Sequence, residues 1–129
     1  MNVGDVARLS GLPAKTIRYY EDIGLIAPAR AGNGYRAYSG DDVHRLAFLK
    51  RARSLGFSID ECRQLLELYQ DRTRASQDVQ KIAVAHVEAI EEKIRELQSM
   101  RTTLQKLISA CHGDHRPDCP ILEDIAGHG

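Results

Sequence analysis

The stretch from Ser76 to Ile108 contains neither glycine nor proline. At about 1.5 Å of rise per residue it predicts an unbroken helical rod of roughly 50 Å. Val79, Ala83, His86, Ile90, Lys93, Leu97, Met100, Leu104 and Leu107 follow 4-3 spacing along it, and Ile82, Ile94 and Ile108 widen the stripe. One helix cannot bury such a stripe within a chain of 129 residues. The spacing therefore predicts a two-stranded coiled coil with a second copy. His86 and Lys93 interrupt the seam, and they read as register-setting or snorkelling positions.

The segment before the rod is punctuated. Asn2 can cap a short helix through about Leu9, with Val3, Val6 and Ala7 on one face. Ser10-Gly11-Leu12 is a turn. Pro13 suits the first turn of a second helix, which runs from Ala14 to Glu21 and stops near Gly24. Helix, glycine turn, helix is the signature of a helix-turn-helix. Ile17 then faces inward, and Lys15, Thr16, Arg18 and Tyr19 are left on the outer face. Those side chains can meet phosphates or base edges. The same spacing also describes an ordinary amphipathic helix with a solvated polar face. Asn33-Gly34 is a strong hairpin signal. Tyr35-Arg36-Ala37-Tyr38 alternates as a short strand, with Tyr35 and Ala37 on one face and Arg36 and Tyr38 on the other. Together these predict a winged helix-turn-helix whose wing carries Tyr35, Arg36 and Tyr38 towards DNA. The alternative for the tyrosines is packing against the recognition helix.

Ser39 caps a third helix over residues 41–55, with Asp41 and Asp42 in the first turn, where the macrodipole favours them. Val43, Leu46, Ala47, Leu49 and Lys50 form its expected core stripe. Arg51 and Arg53 lie near its end, Arg53 as a further candidate for DNA. Gly56 ends it. Ser58 and Glu61 form a capping box for a fourth helix that reaches about Tyr69. Cys62 falls on the apolar stripe of that helix and reads as a small core residue rather than a ligand.

Charge is divided between the halves. Residues 1–56 hold nine basic and five acidic side chains, a net +4, and residues 57–129 hold nine and thirteen, a net −4. A basic N-terminal half fits a polyanion partner. No apolar run approaches the ~18 residues of a membrane span, and no secretory signal is visible, so a cytoplasmic protein is expected. Its three cysteines are then reduced thiols open to metal or redox chemistry. Cys111 and Cys119 bracket a short segment bent by Gly113 and Pro117. Two thiolates suit a soft cation such as Cu(I). No paired carboxylates or His-Glu helix motif points to catalysis, so no enzyme is expected. Three cysteines are too few for a four-thiolate iron–sulfur cluster.

In this order, Thr16-Ile17-Arg18-Tyr19-Tyr20-Glu21, Gly24-Leu25, Asn33-Gly34-Tyr35-Arg36-Ala37-Tyr38 and the run from Cys111 to Cys119-Pro120-Ile121 resemble the MerR family of bacterial transcription regulators, in its copper-responsive branch. The resemblance covers nearly the whole chain. It implies a mainly α fold: a winged helix-turn-helix DNA-binding domain over residues 1–70, an antiparallel coiled-coil dimerisation helix over 71–110, and a metal-binding loop with C-terminal tail over 111–129. It implies a homodimer on double-stranded promoter DNA, working with RNA polymerase at the same promoter. Cu(I), or Ag(I) or Au(I), would be held by Cys111 and Cys119 and would trigger bending and underwinding of a long promoter spacer, activating copper export or oxidation genes. Ser76 matches the position where divalent-metal relatives carry a third cysteine. Ser76 and Lys81 are candidates for supporting the metal site's charge. His112, His115 and Arg116 depart from the branch and leave a Cys/His zinc site open. A disulfide-based redox sensor on the same scaffold is the other alternative.

Overall fold

The computed structural model describes residues 1–30 and 36–127. In chain order the elements are α1 (Val3–Ser10), α2 (Ala14–Asp22), β1 (Ala29–Arg30), β2 (Arg36–Ala37), α3 (Gly40–Ser54), α4 (Ile59–Gln70), α5 (Ser76–Ala110) and α6 (Pro120–Ile125). They form two compact units, Met1–Ile82 and Ala83–Gly129.

Caps set the helix starts in the first unit. Asn2, Ser39 and Ser58 each close a capping box with the acidic residue three positions on, Asp5, Asp42 and Glu61 respectively. Asp42 is buried, yet its carboxylate accepts from the Ser39 N–H at 2.8 Å and from Arg45 Nη1 at 3.2 Å. Burial without those partners would be costly. The first turn of α2 differs from the expectation by one position, because Pro13 stands at the N-cap itself. α1 ends at Gly11, where φ is 78° and a left-handed cap is needed.

One core holds this unit together. Val6, Ile17, Leu46, Leu49 and Cys62 have no exposed surface, and Leu12, Tyr20, Leu25, Ile26, Tyr38, Ala52 and Leu66 close around them. α1 packs on α2 and α3, and α3 packs on α4. Two positions expected in the α3 stripe, Ala47 and Lys50, are exposed instead. The buried face turns through Leu46, Leu49 and Ala52, with Phe48 half-buried at its side. β1 and β2 pair antiparallel, Ala29 opposite Ala37 and Arg30 opposite Arg36. This hairpin encloses the predicted Asn33-Gly34 turn, and Asn33, Gly34 and Tyr35 lie outside the described residues. A firm turn joins α4 to α5. Thr73 donates to Asp71 Oδ1 through its hydroxyl at 2.6 Å and its N–H at 2.8 Å, which holds that carboxyl below its ordinary range. Arg74 Nη1 donates to the Asp71 carbonyl at 3.0 Å, a cation at the C-terminal end of α4.

α5 runs unbroken from Ser76 to Ala110, as predicted. Val87, Ile90, Ile94, Leu97, Leu104 and Ile108 are each 40% to 60% exposed in the single chain. They follow 3-4 spacing, with Arg101 at the one missing step. Ile90, Leu97 and Leu104 belong to the expected row, and Met100 of that row is exposed as well. Lys93 pairs with Glu96 at 3.5 Å in solvent. Among the described residues no helix is long and apolar enough to cross a membrane.

Candidate nucleic-acid interface and metal centre

The recognition-helix candidate, α2, is divided cleanly by burial. Ile17 and Tyr20 point into the core, while Lys15, Arg18 and Tyr19 are exposed and Thr16 is half-buried at the edge. The polar face thus offers two cations, a phenol and a hydroxyl within five consecutive positions, a combination suited to phosphate oxygens and base edges. Tyr19 lies 6.0 Å from Tyr20, ring centroid to ring centroid, so the exposed ring leans on the buried one.

Tyr38 corrects the wing assignment. It is only 4% exposed and its hydroxyl donates to Glu21 on α2. Its backbone exchanges hydrogen bonds with Met1, both at 3.1 Å. The strand ends at Ala37, so the alternation that would have turned Tyr38 outward stops one residue early. Tyr38 braces α2 from inside. Arg36 keeps its place in β2, and Tyr35 lies outside the described residues.

Arg53 is exposed but engaged. Its Nη1 donates to the Phe57 carbonyl at 2.6 Å, across the turn between α3 and α4. Burial pushes the Tyr20 phenol and the Cys62 thiol above their ordinary values, and the Arg53 charge opposes both shifts.

The second unit carries the thiols. Cys111 follows the last turn of α5, its N–H donating to the Leu107 and Ile108 carbonyls at 3.1 Å each. Cys119 is the N-cap of α6, a short helix that Pro120 opens at its first position. Both cysteines are half-buried and unbridged, whereas every residue from His112 to Asp118 is exposed. Gly113 turns the loop with φ at 66°. Asp114 then accepts from the Arg116 N–H and Nε, both at 2.9 Å, which closes the tip. Among the described residues no three His, Cys, Asp or Glu side chains gather as a metal-holding group. The donor chemistry here is that of two soft thiols, and it fits a cation that accepts thiolate ligands. Cys62, the third thiol, is sealed in the core of the other unit. Ser76 and Lys81 are exposed on α5.

Two features of this surface were missed from sequence. α6 is too short to show periodicity, and only Pro120 after Cys119 marks its start. Arg63 on α4 reaches back to the end of α2, a contact between residues 40 positions apart that no local pattern announces.

Residues 1–68 match the family described as MerR HTH family regulatory protein, and residues 43–107 match MerR, DNA binding. The chain is 61% identical over 126 residues to the HTH-type transcriptional regulator HmrR of Rhizobium leguminosarum bv. viciae, covering 98% of each chain. It is 44% identical over 128 residues to the HTH-type transcriptional regulator CueR of Escherichia coli O157:H7, covering 98% of this chain and 95% of that one. Its fold is similar to that of the transcription regulator PbrR691 from Ralstonia metallidurans CH34 in complex with lead(II), with a TM-score of 0.86, 29% identity, and coverage of 97% and 98%. With an outward-facing α2 on a helical scaffold and two family matches spanning residues 1–107, the chain belongs to the MerR family of helix-turn-helix transcriptional regulators and is not an enzyme.

Proposed function

We propose that this regulator is a dimeric, Cu(I)-responsive activator that binds promoter DNA through α2 and the wing. The observation that carries the metal assignment is the pair of half-buried thiols, Cys111 and Cys119, bracketing an exposed loop while the third cysteine is locked away. Two soft donors suit a monovalent coinage metal, whereas tetrahedral zinc asks for four ligands. By the resemblance, Ser76 matches the sequence position at which divalent-metal relatives carry a third cysteine. The solved relative at TM-score 0.86 holds lead(II), and full-length relatives include a heavy metal-dependent transcription regulator of Rhizobium meliloti at 52% identity, so a metal effector is in keeping with the scaffold.

In this reading Cys111 and Cys119, as thiolates, would hold the ion, which would supply a soft Lewis acid and leave the site with one net negative charge. α5 buries its apolar stripe against a second copy, giving twofold symmetry to match a twofold operator. Lys15, Thr16, Arg18 and Tyr19 read or grip the duplex, and Arg36 takes phosphate from the wing. Metal then biases a two-state dimer that controls promoter shape for RNA polymerase rather than touching new bases. Copper export or oxidation genes are the targets that fit.

The deciding experiment is transcription in vitro under anaerobic, reducing conditions with Cu(I), Ag(I) or Zn(II). Coinage metals should activate and zinc should not. His112 and His115 are the test of the rival zinc site: activation by zinc alone, lost in His115→Ala, would overturn the copper assignment. Activation by oxidant without metal would instead establish a Cys111–Cys119 disulfide switch.

A further inference from the structure

α2 ends badly by its own sequence. Its last turn carries Glu21 and Asp22 and no basic residue, so two negative side chains sit at the negative end of the helix dipole. The chain turns away at Gly24, φ 73°, and the Ile23 and Gly24 carbonyls are left pointing out of the turn. Both are met by one side chain. Arg63 Nη2 donates to the Ile23 carbonyl at 3.0 Å, and Nη1 donates to the Gly24 carbonyl at 3.2 Å. The missing cation is supplied from α4.

We infer that Arg63 is a positioning residue for DNA reading: it fixes the angle of α2 against α4, and so decides where Arg18 and its neighbours meet the bases. This rests on the proposed DNA-reading role of α2. Ile17 and Tyr20 of α2 share the core with Cys62 and Leu66 of α4, and the polar contact adds direction to that packing. α2 packs chiefly on α1, and α4 chiefly on α3. Leu25, Ile26 and Leu66 pack in the core there, and an open cleft lined in part by Gly24, Arg45 and Gln70 lies at its edge, next to the Gly24 carbonyl that Arg63 holds. The base of the strut is rigid, because its neighbours Cys62 and Leu66 are buried in the core. A planar guanidinium holds two carbonyls at a set spacing, whereas a lysine ammonium is a point charge on a flexible stem. α4 also leads, through the Asp71–Thr73 turn, into α5, so a shift of α4 is passed to the end of the recognition helix through Arg63.

The test uses the full-length protein and two duplexes of equal length: one selected by the wild type from a random-sequence pool, and one unselected. Arg63→Met should bind the selected duplex roughly tenfold more weakly, the scale of one lost base contact. It should bind the unselected duplex as the wild type does, with the same salt slope, because no phosphate contact is removed. Arg63→Lys should recover part of the loss. Helix content by circular dichroism should be unchanged in both. If Arg63→Met does not fold, Arg63→Lys decides alone by the same ratio of selected to unselected affinity. Unchanged selected-duplex affinity overturns the inference. Equal loss on both duplexes with a shallower salt slope also overturns it, by making Arg63 a phosphate contact. A wild type that enriches no sequence refutes the DNA reading itself, and the positioning role falls with it.

Discussion

Cys62 has no exposed surface, while Cys111 and Cys119 are half-buried, and this difference predicts their chemistry. Thiolate is the reactive form, and burial holds Cys62 protonated. In the native protein a thiol reagent at mild alkaline pH should modify two cysteines quickly and the third only after denaturant is added; rapid reaction of all three would contradict the burial. Cys62→Ser should lose about 1–3 kcal/mol by urea titration, since a hydroxyl would be buried among apolar side chains. Its metal response per folded molecule should be normal, whereas Cys111→Ser and Cys119→Ser should lose that response and keep DNA affinity. Cys62 and Tyr20 also set an alkaline limit. Folding raises both values, so the stability they contribute is fully present below their unfolded values and is lost as pH climbs. The urea midpoint should begin to fall near pH 8.5 and fall further past about 10, the ordinary thiol and phenol values. Tyr38 shows what sequence alternation cannot supply: the pleat predicts its face only while the strand lasts, and this strand is two residues long.

At the level of elements, the four helices of the first unit were legible because their caps and turns are chemically explicit. Asn2, Ser39 and Ser58 each announce a start, and Gly11 and Gly56 each mark a stop. Gly11→Ala and Gly24→Ala should each cost about 1–2 kcal/mol, because both positions require left-handed backbone. The contacts differ: a Cβ at Gly24 meets open space, and one at Gly11 meets the end of the Lys50 side chain at 2.5 Å. The ammonium end of the exposed Lys50 can swing aside, so the two substitutions should cost alike in urea unfolding. The long helix was equally legible as an element. Several 4-3 rows can be drawn along it, and Ile90, Leu97 and Leu104, shared by the two widest, are each exposed in the single chain. For the thiol pair, spacing gave the chemistry, and the structure added the contrast between sheltered sulfurs and an exposed tip.

For the molecule as a whole, the exposed stripe on α5 makes a monomer an incomplete object. Sedimentation should give a dimer at micromolar concentration with or without metal. Leu97→Asp, at the middle of the stripe, should give a monomer by burying an unpaired charge in the seam. A wild type that sediments as a monomer would refute the coiled-coil reading. On DNA, Arg18→Ala should cost about 1–3 kcal/mol on the preferred sequence if it reads a base. Arg36→Ala should weaken every duplex alike and flatten the salt slope. Gel shifts at several salt concentrations separate the two effects.

The exposed loop between the sulfurs has a practical consequence for protein chemistry. Its only lysine or arginine, Arg116, is followed by Pro117, a bond that trypsin spares. After cleavage at Lys106, both loop cysteines travel on one peptide beginning at Leu107, while Cys62 leaves separately on the peptide 54–63. A reagent that spans two thiols therefore leaves its mass on a single fragment, and the occupancy of the pair can be read by mass spectrometry without interference from the core cysteine.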